Sequence, residues 1–140
     1  MTSLNEYLQY LTESKVNIKK GSINDLLTSP KRISLYKKGK TIIDRLFKTN
    51  WVKKIYVIGS FTTNKKNPSD IDLMMIVDPK KIKVVNRPKE NSKEVESREW
   101  DEYIDQLYIN PTSWSFMIKE YYESGIKKYG QDYFWVKIKG

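Results

Sequence analysis

The stretch VIGSFTTNKKNPSDIDLMMIV, residues 57–77, decides how this chain is expected to fold. An apolar run ends in Gly59-Ser60 and nine residues follow. Asp70 and Asp72 then stand one residue apart at the start of a second apolar run. Acidic groups at the start of a buried segment are costly unless they have partners, so this pair requires an explanation.

Two strands account for the apolar runs. Val52–Ile58 has the composition of a buried strand, Thr62–Ser69 is a polar loop, and Ile71–Val77 is the next strand. Side chains alternate between the two faces of a strand, so Asp70 and Asp72 are expected to project to the same side. The apolar residues expected to enter the opposite layer are Ile71, Leu73, Met75 and Val77.

The paired carboxylates suit a site for a hard cation. The chain has no His and no Cys, which excludes imidazole and thiolate ligands, a His general base and disulfides. Two carboxylates on one face repel each other unless a cation lies between them, and Mg²⁺ binds carboxylates together with substrate phosphates. Gly59 would let the backbone approach a phosphate, and Ser60 would offer a hydroxyl and an N–H. The alternative is a plain Gly-Ser turn followed by solvated aspartates that cap a strand.

Length and charge limit the remaining possibilities. At 140 residues, the chain is expected to form a single domain, 1–140, with residues 1–28 as an N-terminal helical extension. The net charge of +9 favours phosphate-bearing partners, although an ordinary Lys-rich surface has the same composition. No apolar run reaches the roughly 20 residues that span a bilayer, and no signal-peptide pattern is present, so a cytoplasmic protein without a membrane partner is predicted.

The rest of the chain is expected to place helices and strands around one mixed sheet. Helices are predicted over about residues 3–14, from Ser29-Pro30 to Asn50, and from Thr112-Ser113 to near Gly125. Further segments are a charged, helix-prone stretch at Ser92–Glu102 and strands at Tyr103–Ile109 and Tyr133–Ile138. This order predicts an α/β (α+β) fold.

The Gly59-Ser60 turn, the nine-residue spacer and the strand entered through Asp70-Ile71-Asp72 resemble the signature of the nucleotidyltransferase superfamily of the DNA polymerase beta type. The chain looks most like small, stand-alone minimal nucleotidyltransferases, including an uncharacterised bacterial group. The resemblance is specific over Val57–Val77 and loose beyond it. It implies a palm-like fold, with a mixed central sheet flanked by helices, and a transfer reaction that uses two Mg²⁺ ions, with Mn²⁺ as an alternative.

The same resemblance implies roles for individual carboxylates. Asp70 and Asp72 would be ligands of both metal ions, and a third carboxylate on a neighbouring strand would complete one metal position and orient the attacking hydroxyl. Asp105 is the candidate, because it lies in YIDQLYI, where strand-like apolar residues flank it. The alternatives for this third position are Asp101, Glu102 and Asp132.

One departure from the family pattern concerns the nucleotide. Better-known minimal members have an arginine soon after the Gly-Ser pair, whereas the nearest cations here are Lys65 and Lys66. The nucleoside triphosphate is therefore expected to contact Gly59, Ser60 and these two lysines.

The activity implied is attack by an acceptor hydroxyl on the α-phosphorus of a nucleoside triphosphate, with release of pyrophosphate. The acceptor would be tRNA-like RNA or a protein, and the basic segment Lys80–Asn91 is either an RNA contact or a plain solvated loop. Alternatives are a non-catalytic or regulatory partner in a toxin–antitoxin or phage-defence type system, and a small-molecule modifier of the antibiotic nucleotidyltransferase kind, which the basic charge disfavours. A homo- or hetero-oligomer would complete the site in place of the helical domain of larger relatives.

Overall fold

The computed structural model of the chain describes residues 4–78, 80, 96–100, 103–109 and 114–140. The helices in these residues are α1 (Leu4–Lys15), α2 (Pro30–Lys48) and α3 (Trp114–Tyr129). The strands are β1 (Ile18–Lys20), β2 (Val52–Ile58), β3 (Ile71–Val77), β4 (Glu96–Trp100), β5 (Ile104–Ile109) and β6 (Trp135–Lys139). Short 3₁₀ turns lie at Ile23–Leu26 and Gly59–Thr62. Within this described part, no helix combines the length and apolar character needed to cross a membrane.

The strands form one mixed sheet in the order β1-β6-β2-β3-β5-β4. β1 is parallel to β6 and β3 is parallel to β5, whereas the other neighbouring strands are antiparallel. The predicted mixed α/β fold, with a central sheet and packed helices, is therefore confirmed. Residues 1–28, expected as a helical extension, also contribute β1 and so take part in the sheet.

β3 is buried on both faces, and its alternation separates two cores. Leu73 and Met75 face the core that α2 covers, whereas Met74 and Ile76 face the core that α3 covers. The apolar residues predicted to lie opposite the aspartates all belong to the α2 core, as expected; these are Ile71, Leu73, Met75 and Val77. Because Asp72 has the same parity as Met74, its carboxyl projects toward the α3 side.

α2 begins where the sequence predicts and packs closely on β5. The Oγ atom of Ser29 accepts a hydrogen bond of 3.2 Å from the Arg32 N–H, which caps the helix. Gly39 interrupts the apolar pattern, and a Cβ atom at this position would overlap the side chain of Ile104. The glycine therefore does not break the helix, and instead lets α2 approach β5 at Ile104.

The sequence predicts a helix within Ser92–Glu102, but this prediction is wrong for residues 96–100, which form strand β4. β4 lies at the edge of the sheet and pairs with β5 from Glu96 opposite Ile109 to Trp100 opposite Asp105. The charged sequence favours a helix by local propensity, but backbone pairing with β5 decides the structure. Charged residues also suit an edge strand, because they discourage pairing with other chains.

The helix expected to end near Gly125 continues to Tyr129. Gly125 does not terminate it: a Cβ atom there would overlap the ring of Tyr133, so this glycine allows the ring to pack against α3. Some predicted features lie outside the described residues. They are the part of the basic segment beyond Lys80, the helix cap Thr112-Ser113, and the alternative third carboxylates Asp101 and Glu102.

Candidate active site at the carboxylate edge

Three acidic side chains lie at one edge of the sheet, where β3 and β5 begin. Asp72, the second residue of β3, pairs with Asp105, the second residue of β5. Adjacent strands are about 4.8 Å apart, and residues paired in parallel strands project to the same side. Asp70 immediately precedes β3 and is close enough to affect the carboxyl of Asp72. We call Asp70, Asp72 and Asp105 the carboxylate edge.

Gly59 brings the end of β2 against this edge. Ile58, the last residue of β2, pairs with Asp72, and Gly59 follows with a φ of 75°, a conformation that favours glycine. A Cβ atom on Gly59 would overlap the Oδ2 atom of Asp72. Gly59, which is predicted to let a phosphate approach the backbone, also makes room for the carboxylate of Asp72.

The carboxyl of Asp72 is a weaker acid than that of an ordinary aspartate. Burial raises the pKa of Asp72 to about 7, and the neighbouring carboxyls of Asp70 and then Asp105 add to this effect. Lys128 on α3 acts in the opposite direction, because its positive charge favours the ionised form. A positive charge placed beside Asp72 would therefore favour its ionised form at neutral pH.

We expect Asp72 to make the protein less stable in metal-free buffer as the pH rises. The carboxyl ionises near 3.8 when unperturbed, as in the unfolded chain, and keeps its proton to about 7 in the folded protein. The folded state binds more protons between these values, so the stabilising contribution is complete at low pH and lost as the pH rises through 7. Thermal melts of Asp72→Asn and wild type should therefore diverge in favour of the variant as the pH rises from about 4 to about 7, and differ by a constant amount above that. A difference independent of pH would contradict this expectation.

The donor set of the carboxylate edge fits a hard divalent cation. Carboxylate oxygens are ligands that Mg²⁺ and Mn²⁺ accept, and three neighbouring carboxylates repel one another without a cation. In the described residues, no three acidic side chains already converge at metal-ligand spacing. The backbone register nevertheless holds Asp72 beside Asp105. Binding of one ion by all three groups would therefore require their carboxyls to move closer together than they lie here.

A cavity of about 230 Å³ lies between the carboxylate edge and α3. Gly59, Asp72 and Asp105 lie on its sheet side. The opposite side, which we call the α3 wall, consists of Tyr121, Ser124, Gly125, Lys128 and Tyr129. The cavity is therefore the space in which a ligand of the carboxylate edge would lie.

Tyr133 lines the cavity and also contacts the 3₁₀ turn that begins at Gly59. Its hydroxyl oxygen accepts a hydrogen bond of 2.6 Å from the Trp135 indole N–H and a longer one of 3.4 Å from the Gly59 N–H. The ring is 2 % exposed and packs where Gly125 leaves space on α3. Tyr133 thus fixes the distance between α3 and the turn that abuts Asp72.

A buried arginine on α2 holds the loop between β2 and β3. The Nε atom of Arg32 donates to the carbonyl of Phe61 at 3.2 Å, and Nη2 donates to those of Thr63 at 2.7 Å and Lys65 at 2.9 Å. A longer bond of 3.4 Å reaches the Ser60 carbonyl. Because Arg32 is 4 % exposed, its guanidinium depends on these carbonyls rather than on water for its hydrogen bonds.

The residues expected to bind the nucleotide do not gather around the cavity. Gly59 lines it, but Ser60 is buried in the 3₁₀ turn, and Lys65 and Lys66 are exposed on the loop. None of these last three is among the described residues that line the cavity. Asp132, an alternative third carboxylate, is exposed in the turn before β6 and does not line the cavity either.

The model of the DUF6932 family, a family of unknown function, matches residues 4–140. The chain belongs to the DUF6932 family. No curated protein and no solved structure matches the chain at a significant level. The matched residues include the carboxylate edge, the α3 wall and the loop held by Arg32, so the whole candidate site lies within the region that defines membership of DUF6932.

Three residues of this DUF6932 site are missed by sequence reasoning. Arg32 contacts carbonyls 28 to 33 positions later in the chain, which no local pattern indicates. Tyr133 is one of ten tyrosines and carries no distinguishing context. Lys128 does have a usable signal, because Tyr121, Ser124 and Lys128 recur at helical spacing and therefore share one face of α3.

Proposed function

We propose that this protein is a metal-dependent nucleotidyltransferase, which transfers a nucleoside monophosphate from a nucleoside triphosphate to a hydroxyl group of RNA or protein. The observation that carries the proposal is the pairing of Asp72 with Asp105 on parallel strands, with Asp70 one residue before β3. Three carboxylates that share one edge, next to a cavity, match the donor set that two-metal nucleotidyl transfer requires.

The topology supports the palm-like version of this fold. The central antiparallel pair β2–β3 carries the Gly-Ser turn and the first two aspartates, and β5 pairs with β3 and carries the third. Helices cover both faces of this sheet, which leaves the carboxylates at its edge. This is the arrangement that the resemblance over Val57–Val77 implies.

In the proposed reaction, Asp70 and Asp72 would hold Mg²⁺, and Asp105 would complete one position and orient the acceptor hydroxyl. Bound Mg²⁺, or Mn²⁺ in its place, would promote ionisation of that hydroxyl and offset charge on the leaving pyrophosphate. A bond forms between the acceptor oxygen and the α-phosphorus, and the bond from the α-phosphorus to the bridging oxygen breaks. The hydroxyl proton passes to solvent and pyrophosphate leaves.

The experiment is a transfer assay with the purified protein. Each of the four nucleoside triphosphates, labelled at the α-phosphate, is incubated with Mg²⁺ or Mn²⁺ and with either total RNA or a protein extract. We expect label in one of the two macromolecular fractions, and none with the Asp72→Asn variant. If no triphosphate labels either fraction, or if the variant labels it equally, the proposal is wrong.

A further inference from the structure

The cavity beside the carboxylate edge has a positive charge on its opposite wall. Lys128 lines the cavity from α3, and its Nζ atom lies 5.3 Å from the centre of the Tyr129 ring. The ammonium group is near enough to Asp72 to act on its carboxyl electrostatically. Among the described residues that line the cavity, there is no other Lys or Arg. A ligand between the walls therefore meets carboxylates on one side and an ammonium group on the other.

The geometry points to Lys128 as the residue that binds phosphate oxygens of the nucleotide, with the phosphate chain in the cavity between Asp72 and α3. The inference rests on the proposed function, because that function names the nucleotide. An ammonium group donates up to three hydrogen bonds, and its bonds to phosphate are charge-assisted. The carboxylates opposite would repel the same oxygens unless a cation lies between them. A phosphate chain with its divalent cation matches the charges of both walls.

Tyr133 offers a second donor to the same ligand. A phenol has one O–H and two lone pairs, and both lone pairs of Tyr133 already accept bonds from Gly59 and Trp135. In the part of the chain that the structure describes, the hydroxyl donates no bond. Its hydrogen is therefore left for an acceptor atom of a ligand in the cavity, which Tyr133 lines.

The size of the cavity agrees with a phosphate chain rather than a whole nucleotide. Its volume of about 230 Å³ is below the roughly 300–1,000 Å³ of pockets that enclose drug-sized ligands. The nucleoside would then extend out of the cavity, so phosphates without a nucleoside should still bind. Lys65 and Lys66 do not compete for this role, because they lie exposed on the loop away from the cavity lining.

The test is calorimetric titration of inorganic tripolyphosphate into the protein in the presence of Mg²⁺. Lys128→Met should weaken binding by about tenfold, the loss of one charge-assisted contact at a partly solvated site. Lys127→Met is the matched control, since Lys127 is the preceding residue of α3, is exposed like Lys128, and does not line the cavity. It removes the same charge and should change binding by less than about twofold. Lys128→Arg should keep most of the affinity.

Other outcomes would overturn the inference. Equal losses in both Met variants would show general charge attraction, and an unchanged Lys128→Met variant or a wild type that does not bind would show that the cavity holds no phosphate chain. The transfer assay separates this inference from the proposed function. Binding through Lys128 without transfer supports the phosphate site and rejects the transferase, whereas transfer with unchanged tripolyphosphate affinity in Lys128→Met rejects the role of Lys128 alone.

Discussion

Nucleotidyl transfer by the Asp72→Asn variant is expected to fall by about 10³-fold or more, which corresponds to the several kcal/mol that metal ions supply in such reactions. The substitution removes the carboxylate that we propose as the central metal ligand, whose pKa is raised by both Asp70 and Asp105. The amide keeps the shape of the carboxylate, so the sheet and the abutting Gly59 turn should be unaffected. The measurement is the rate of label transfer at saturating Mg²⁺, with circular dichroism to verify the fold.

Two further variants make this result specific. Asp105→Asn should leave nucleoside triphosphate binding nearly unchanged while transfer falls by orders of magnitude, because a group that orients the attacking hydroxyl acts mainly in the transition state. Asp132→Asn is the matched control, since Asp132 is exposed in the turn before β6 and does not line the cavity. Full activity of Asp72→Asn, or an equal loss in Asp132→Asn, would exclude the carboxylate edge as the site.

The second large effect is expected for stability. Arg32→Met should lower the free energy of unfolding by about 3 kcal/mol, because carbonyls of the loop between β2 and β3 lose a buried, charged donor. For a chain of this size, that corresponds to a decrease of roughly 10 °C in the melting temperature. The side chain of Met fills much of the same space, so the loss reports mainly the hydrogen bonds to Phe61, Thr63 and Lys65.

Arg45→Met provides the control for this variant. Arg45 lies on the same helix α2 and is exposed, so its replacement should change the melting temperature by less than about 2 °C. Arg32→Lys should recover part of the stability, because one ammonium group cannot reach all the carbonyls that the planar guanidinium bonds. If Arg32→Met melted like wild type, the loop would not depend on this arginine.

The strands that carry the carboxylates could be predicted because their patterns are local. Because side chains alternate along a strand, the sequence alone places Asp72 and Leu73 on opposite faces of β3. The apolar residues around Asp105 likewise predict a strand. β4 could not be predicted in this way, since its charged sequence is helix-prone and only pairing with β5 makes it a strand. The hydrogen bonds of Arg32 could not be predicted either, because its partners are distant in the sequence and come close to it only when α2 packs on the sheet.

The position of β6 has a consequence for how the chain folds. β6 comes last among the strands in sequence, yet it lies inside the sheet, between β1 and β2. Without residues 135–139, β1 has no paired strand within the described part of the chain and β2 presents a bare edge, which is a template for association with other chains. The pairing of β1 with β6 closes a loop of more than 100 residues, and such long closures are slow to form. A released chain truncated after Phe134, which lacks β6, is therefore expected to aggregate, whereas a released chain that includes residues 135–140 should aggregate less.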